Sequence, residues 1–254
     1  MLTAVTGINW GDEGKGRVID LLAEHADVVA RYQGGNNAGH TVVTERGKFI
    51  LNLLPSGILH PDVVCVLGAG MVIDLDHLAG EMDAIEERGV KVGPENLKLS
   101  DKATISMPWH KVQDGLEEDR LAQKGAAFGS TRRVGPFDCV ASRYGLACQG
   151  ADKIALTKLD VLSSMKEIPV ITGYTLDGVQ VPSFDPLSDL DRVKPVVTML
   201  PGWNKDISGC KSWDELPKEA KAYVEFLEKQ LGHEIQFVST GAEREKFVLK
   251  GEWL

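Results

Sequence analysis

The first third of the chain alternates short apolar runs with longer amphipathic segments, the pattern of an α/β protein. Leu2–Ile8 is a β-favourable run that predicts a strand, and Gly16–Ala26 places its apolar residues at helical spacing. Asp27–Tyr32 predicts a second strand, so residues 2–32 form a predicted strand–loop–helix–strand unit, the beginning of a parallel sheet. The wholly apolar run Val63–Leu67 predicts a buried parallel strand.

Two pairs of β-favourable runs flank turn-like residues and predict hairpins. These pairs are Thr41–Val43 with Phe49–Leu54, and Ile168–Tyr174 with Val179–Phe184. The other predicted helices cover Asp76–Gly89, 137–152 and Pro217–Gly232. The other predicted strands cover Leu97–Leu99, 153–162 and Glu234–Val238, and Glu234–Val238 is expected to be the last strand of the chain. Residues 101–127 are polar and interrupted by Pro108 and Gly115, but they do not resemble an interdomain linker.

The pattern predicts one α/β domain over residues 1–254, with a mostly parallel central sheet, a P-loop-like phosphate site and an added β-hairpin. The composition is that of a soluble globular protein, with 43% hydrophobic and 26% charged residues. A net charge of −9 argues against a general nucleic-acid binder, which would carry a basic surface. The 27 glycines favour a binding site built from loops.

The four cysteines form no C-x-x-C pair, so we expect reduced thiols and no zinc site. The N-terminus does not have the charged and apolar regions of a signal peptide. No apolar run reaches the roughly 18 residues of a membrane span. We therefore expect a cytoplasmic protein.

The segment Gly11–Arg17 has the glycines and the lysine of a phosphate-binding loop, placed between a predicted strand and a predicted helix. Gly11, Gly14 and Gly16 with Lys15 suit an anion at a helix N-terminus. The spacing differs from G-x-x-x-x-G-K-[ST], because Asp12 and Glu13 lie inside the loop and a glycine follows the lysine. A carboxylate there would repel phosphate unless it binds Mg²⁺ or accepts a substrate proton.

A second Gly-rich loop, Gln33–Thr41, has no apolar face and contains His40. We expect it to leave the same sheet edge as the first loop, where ligands of parallel sheets collect. A structural histidine is the alternative interpretation of His40.

The segment Thr157–Asp160 follows an apolar strand and resembles the [N/T]-K-x-D element of P-loop GTPases. A carboxylate in that element accepts hydrogen bonds from guanine N1–H and the 2-amino group. Adenine does not have this pair of donors. Ser239–Gly241 follows a later strand and adds to the indication of a guanine nucleotide. The basic turn Thr131–Pro136 is a candidate for a further anion, since Arg binds carboxylate and phosphate in bidentate fashion.

Seven segments in one order closely resemble the adenylosuccinate synthetases. They are WGDEGKG, QGGNNAGHT, LPSGIL, RRVGPFD, LTKLDVL, LPGW and VSTG, and the resemblance covers roughly residues 3–120 and 126–250. The family joins IMP to L-aspartate and converts GTP to GDP and phosphate, with Mg²⁺ as the metal.

The resemblance implies that Asp12 removes the N1 proton of IMP and contacts Mg²⁺, and that His40 is the acid that stabilises the transferring phosphoryl group. The inosine 6-oxygen attacks the γ-phosphate, and the aspartate amine then displaces the 6-phosphoryl group. Asp12, Lys15 and His40 are thus the implied catalytic residues, and Asp12 and the Gly39 carbonyl the implied metal ligands. The implied contacts to nucleotide, IMP or aspartate are Gly11, Asp12, Glu13, Gly14, Lys15, Gly16, Arg17, Asn37, Ala38, Gly39, His40, Thr41, Arg132, Lys158, Leu159, Asp160, Ser239, Thr240 and Gly241.

Family members are considerably longer, and this chain lacks a middle segment near residues 120–130. That segment normally supplies IMP contacts and part of the surface of a homodimer. Two alternatives to an active synthetase therefore stay open: a non-catalytic GTP- or IMP-binding remnant, and a relative that acts on a guanine monophosphate. Asp12 argues against the second, because an acid that removes an N1 proton suits IMP.

Overall fold

The structure is a computed structural model, and it describes residues 1–8, 14–36, 39–123, 134–183 and 189–251, with side chains 118–123 excepted. Its contacts divide the chain into two compact units. The N-terminal unit is Gly14–Arg133, and the C-terminal unit is Met1–Glu13 with Val134–Leu254. A single domain over the whole chain stays a prediction.

The N-terminal unit is built on a parallel sheet in which β4 is the central strand. Its elements are α1 (Lys15–Ala23), β1 (Val28–Gly34), β2 (His40–Thr44), β3 (Gly47–Leu51), β4 (Val64–Ile73), α2 (Leu75–Glu86), β5 (Leu97–Leu99), β6 (Thr104–Ile105) and α3 (Pro108–Gln123). Strand β4 pairs in parallel with β1, β5 and β6. Strands β2 and β3 form the predicted antiparallel hairpin. The parallel strands and the added hairpin confirm the α/β class.

The buried core of this unit explains its short apolar runs. Phe49 and Leu51 of β3 point inward, and Cys65, Leu67 and Met71 of β4 alternate inward along one face. Because a strand turns every second side chain to the same face, this alternation fixes the register of β4 against β1.

The C-terminal unit contains two further sheets. Its elements are β7 (Phe137–Asp138), α4 (Cys139–Gln149), β8 (Ile154–Leu156), β9 (Glu167–Leu176), β10 (Val179–Val181), β11 (Val193–Pro201), α5 (Lys218–Leu231), β12 (Ile235–Ser239) and β13 (Phe247–Leu249). Strand β9 pairs antiparallel with β10 and β11 and in parallel with β7. Strand β12 lies between β8, which is parallel to it, and antiparallel β13.

Helix α5 shows why these residues fold as predicted. Pro217 precedes its first turn, and Gly232 ends it in the left-handed region with φ 72°. Its buried residues recur at helical spacing and pack in the core of the unit; they are Ala220, Tyr223, Val224, Leu227 and Leu231. The predicted helix over Pro217–Gly232 is confirmed.

Three predictions about elements are wrong. Residues 1–8 form no regular secondary structure, and Met1 and Leu2 are almost fully exposed. Propensity alone does not make a strand, because a strand needs a partner ladder for its N–H and C=O groups. Glu234–Val238 is not the last strand, since β13 follows it, and the strand predicted over 153–162 ends at Leu156, because Leu159–Leu162 is a 3₁₀ turn. The segment 101–127, for which no element was predicted, contains the 16-residue helix α3. Pro108 begins α3, a position where its missing N–H has no cost.

The long strand β11 was not predicted, although its sequence is rich in β-branched residues. All four cysteines lie in the described residues and are free thiols. In the described part of the chain, none of the helices combines the length and the apolar character that a membrane crossing requires.

Candidate functional site

The N-terminus of α1 has the geometry of an anion site. Gly14 precedes the helix in the left-handed region, with φ 85°, and its carbonyl oxygen accepts from the N–H groups of Arg17 and Val18. The first turn of α1 contains no acidic residue. The positive end of the helix dipole therefore lies at Gly14 and Lys15, where it would stabilise a bound anion.

The two Gly-rich loops meet at Gly16 and His40. A Cβ added at Gly16 would stand 2.5 Å from His40 Cδ2 and 2.8 Å from His40 Cβ. Only glycine allows the first helical turn to approach the imidazole this closely. The two loops thus approach each other at these two residues, but the predicted common sheet edge is not formed, because residues 1–8 are not a strand.

His40 begins β2 and is enclosed on several sides. Its Nε2 lies 3.4 Å from Ser56 Oγ, and Ser56 is 1% exposed. Burial and the nearby Arg31 guanidinium lower the pKa of His40 to about 4, although Asp20 opposes the shift. At neutral pH the ring is a neutral imidazole, which still offers one N–H donor.

Asn52 lies beside Gly39 and binds the second loop at Asn36. Asn52 Nδ2 donates to the carbonyl oxygen of Asn36 at 2.7 Å, and a Cβ at Gly39 would stand 3.3 Å from Asn52 Oδ1. The backbone N–H of Asn52 donates in turn to the buried carboxylate of Glu81 at 2.8 Å. The second loop is thus bound at both of its described ends, at Asn36 and at His40.

Several predicted site residues lie outside the described residues. They are Gly11, Asp12, Glu13, Asn37, Ala38 and Arg132. Their roles stay predictions. Within the described ranges, no group of three His, Cys, Asp or Glu side chains has the arrangement of a metal site.

The predicted guanine contacts lie in the C-terminal unit, at the ends of two paired strands. Strand β8 is parallel to β12 with Leu156 opposite Val238. The segment Lys158–Asp160 and the segment Ser239–Gly241 therefore follow the carboxyl ends of adjacent strands. The sequence prediction that both segments belong to one site is consistent with this pairing.

Lys158 has the left-handed conformation, with φ 61°, and begins a 3₁₀ turn over Leu159–Leu162. This conformation is uncommon for a residue with a side chain, and such strain collects at functional positions. Leu159 is 1% exposed and anchors the turn, whereas Lys158 is exposed and Asp160 half-buried. The two charged residues are thus placed for a ligand while the apolar residue between them fixes the backbone.

Thr240 presents a polar group that the fold itself does not satisfy. Its Oγ1 is buried and has no hydrogen-bond partner among the described residues, although its N–H donates to the Lys246 carbonyl at 2.9 Å. A buried hydroxyl without a partner costs free energy. Thr240 is therefore a good candidate for a contact to a bound ligand, as the sequence predicted.

Three residues near His40 were not predicted as site residues. They are Asn52, Ser56 and Glu81. Ser56 lies in LPSGIL, one of the segments that carried the resemblance, so the motif was visible but its contact was not. Nothing in the sequence pairs Glu81 with a loop about 30 residues earlier, and only the folded chain shows it.

A model of the adenylosuccinate synthetase family matches residues 4–131 and 119–248. Similar curated proteins include the adenylosuccinate synthetases of Aquifex aeolicus, 28% identical over 415 aligned positions with 96% of each chain covered, and of Myxococcus xanthus, 28% identical over 424 positions with 96% of this chain and 97% of that one covered. Because these alignments are longer than the 254 residues of the chain, they contain long gaps in it.

The solved structure of the Plasmodium falciparum enzyme, described as fully ligated adenylosuccinate synthetase, is similar with a TM-score of 0.85 at 21% identity. It covers 96% of this chain and 98% of its own. This likeness shows the fold. The two pieces of the family match overlap at 119–131, the place where the sequence predicted a missing segment.

Proposed function

The chain belongs to the adenylosuccinate synthetase family, whose members are ligases that join IMP to L-aspartate with GTP in AMP synthesis, and we propose that it performs this reaction with the two Gly-rich loops described above. The observation that carries the proposal is the contact of Gly16 with His40. This contact brings an anion-binding helix end beside an imidazole, and phosphoryl transfer depends on such positioning and charge neutralisation.

The first step is phosphoryl transfer to the 6-oxygen of IMP. Asp12 takes the N1 proton of IMP, the 6-oxygen attacks the γ-phosphorus of GTP, and the bond to the β-phosphate bridging oxygen breaks so that GDP leaves. Lys15 and the N–H groups at the start of α1 neutralise the charge on the transferring group.

The second step forms the C–N bond. The amine of L-aspartate attacks C6 of 6-phosphoryl-IMP, phosphate leaves with the C–O bond electrons, and the nitrogen loses a proton. Arg132 is proposed to bind the carboxylate of aspartate, because Arg offers a planar pair of donors for a carboxylate.

His40 contributes a hydrogen-bond donor and not a full positive charge in the protein without substrate, because its pKa is lowered to about 4. A phosphoryl group beside the ring would raise the pKa again, since an anion favours the imidazolium. His40 is therefore protonated, and able to act as the acid, only when the transferring group is present.

The C-terminal unit is proposed to select the nucleotide. Asp160 accepts from guanine N1–H and the 2-amino group, the Lys158 stem lies along the base, and Ser239–Gly241 adds a contact to the base, for which the buried Thr240 hydroxyl is available. Mg²⁺, which the family uses, would be held by Asp12 and the Gly39 carbonyl and would supply charge neutralisation to the phosphates. We place the reaction in the cytoplasm and expect a homodimer.

A non-catalytic nucleotide-binding remnant is the second candidate. It is favoured by the division of the family match into two pieces at 119–131. A relative that acts on a guanine monophosphate is the third, and competition between IMP and dGMP for the site distinguishes it.

Phosphate release from GTP with Mg²⁺, measured with and without IMP and L-aspartate, tests the proposal. We expect release that needs both substrates and falls at least about 100-fold in Asp12→Ala, the usual size of a lost general base. Asp83→Ala, on the exposed face of α2, is the matched control and should keep the rate of the natural chain. Saturable GTP binding without release would support the remnant instead.

A further inference from the structure

We propose that the segment Asn52–Ser56, which follows β3, is a clasp that positions both Gly-rich loops, and that Ser56 holds His40 as the Nε2–H tautomer. The role in catalysis rests on the proposed function. The contacts that form the clasp are made between residues of the protein itself, and all of these residues lie within the N-terminal unit.

The clasp is fixed by one buried carboxylate. Glu81 of α2 accepts from the backbone N–H groups of Asn52, Leu53 and Leu54, at 2.8, 2.9 and 3.3 Å. Leu53 and Leu54 are fully buried, and Glu81 is 9% exposed. A carboxylate with three N–H donors is well compensated for burial, so this backbone has little freedom.

The first arm of the clasp is Asn52. Its Nδ2 donates to the Asn36 carbonyl oxygen at 2.7 Å, and its Oδ1 lies against the backbone of Gly39. This hydrogen bond from the Asn52 amide fixes the position of the Asn36 carbonyl within the second loop. Gly39 and His40 lie later in the same loop, and the Oδ1 of Asn52 limits where the backbone of Gly39 can lie.

The second arm is Ser56. Its Oγ donates to the Gly16 carbonyl oxygen at 2.9 Å and lies 3.4 Å from His40 Nε2. A hydroxyl has one proton, and the shorter contact takes it, because a carbonyl oxygen cannot donate. The Ser56 oxygen can then only accept from the ring, which places the imidazole proton on Nε2.

This arrangement suits the proposed role of His40. A separation of 3.4 Å is long for an N–H···O hydrogen bond, so the contact with Ser56 is weak. The Nε2–H group can therefore exchange the Ser56 oxygen for a charged phosphoryl oxygen as its acceptor, because the charged oxygen accepts the stronger hydrogen bond. Ser56 is a positioning residue, since its described contacts are with Gly16 and His40 only.

The position of Ser56 is further restricted by the next residue. A Cβ at Gly57 would stand 2.8 Å from Val29 Cβ and 3.2 Å from Cys65 Sγ. Glycine at this position lets the 3₁₀ turn Ser56–Leu59 lie directly on the sheet strands β1 and β4. The beginning of the clasp is thus anchored to α2 through Glu81, and its end is anchored to β1 and β4 through the adjacent Gly57.

Nitrogen-15 NMR of the His40 ring in the unaltered protein, near pH 7, tests the tautomer directly. The signal is assigned by its disappearance in His40→Gln. We expect the Nε2–H pattern as the predominant form. A predominant Nδ1–H pattern would overturn the assignment to Ser56, and this measurement requires neither turnover nor a variant that must fold.

Ser56→Ala tests the positioning role, with Ser142→Ala as the matched control. Both serines are 1% exposed, but Ser142 is in the C-terminal unit and its Oγ has no hydrogen-bond partner among the described residues. Ser56→Ala should give a mixture of both tautomers of His40. It should also lower kcat for phosphate release about tenfold, as expected for one lost hydrogen bond, while KM for GTP stays within about twofold.

Ser142→Ala should leave the tautomer and kcat unchanged. An unchanged kcat in Ser56→Ala, or an equal rise in KM, would contradict the positioning role. If the unaltered chain releases no phosphate, the proposed function fails, whereas a ring that changes from Nε2–H to a mixture in Ser56→Ala still supports the clasp.

Discussion

At the scale of single residues, Gly16 and His40 show how a missing side chain creates a site. The imidazole occupies the space that any Cβ at position 16 would need. The same close approach removes water from the ring and, with Arg31 nearby, lowers its pKa. Glycine is therefore required by packing here, although glycine inside a helix is unfavourable by itself.

Gly16→Ala should be destabilising despite the higher helix propensity of alanine. The added Cβ would stand 2.5 Å from His40 Cδ2, so the ring or the helix must move. We expect the free energy of unfolding in urea to fall by about 1–3 kcal/mol and phosphate release to be lost.

Gly80→Ala in α2 is the control for that substitution. Nothing lies within 4 Å of the Cβ position at Gly80. Alanine there should raise the free energy of unfolding by about 0.5–1 kcal/mol. Equal stabilisation by both substitutions would contradict the packing argument.

At the scale of elements, helix α3 is linked to α2 by an ion pair. It is polar, and its Lys111 reaches the carboxylate of Asp74 at 2.5 Å. Asp74 is also the N-cap of α2, where it accepts from the N–H of His77 at 3.2 Å. One nearly buried carboxylate thus joins the beginnings of two helices.

Lys111→Met should weaken the fold in a pH-dependent way. The hydrogen bond from Lys111 and then that from His77 hold the pKa of Asp74 below its ordinary value. Because the folded pKa is depressed, this stability is present above the unfolded pKa near 4 and is lost as pH falls through the folded pKa. We expect a loss of about 1 kcal/mol at neutral pH and a smaller difference from the unaltered protein in acid.

Lys91→Met removes an ion pair of similar length, 2.9 Å to Glu95, in which both partners are largely exposed. No measurable loss of stability is expected there, since exposed pairs contribute little. Thermal or urea unfolding as a function of pH compares the two variants. Equal losses of stability in the two variants would contradict the argument that the burial of Asp74 makes its ion pair stabilising.

At the scale of the whole molecule, each unit has its own hydrophobic core, and each holds part of the predicted site. The described part of the phosphate loop, Gly14–Arg17, and His40 belong to the N-terminal unit, and the predicted guanine contacts belong to the C-terminal unit. The two pieces of the family match overlap near the C-terminal end of the N-terminal unit.

The chain should form a homodimer, as the resemblance implies. Apolar side chains on α3 at Trp109, Val112 and Leu116 are 57%, 62% and 64% exposed and lie at helical spacing, a surface that association would remove from water. Sedimentation velocity should give about twice the 27.6 kDa of the chain at micromolar concentration. A mass of one chain at all concentrations would contradict this prediction.

The sequence by itself determined the elements whose signals are local. Helix α5 has its proline and glycine boundaries, and the β2–β3 hairpin has its turn. The roles of the Gly-rich segments and of Lys158–Asp160 stay predictions. Only the tertiary structure decided that residues 1–8 form no strand, that α3 is a helix, and that Ser56, Asn52 and Glu81 hold the loops around His40. The physical reason is range: caps, turns and periodicity act over a few residues. Strand pairing, burial and the pKa of His40 depend instead on groups far apart in the chain that meet only after folding.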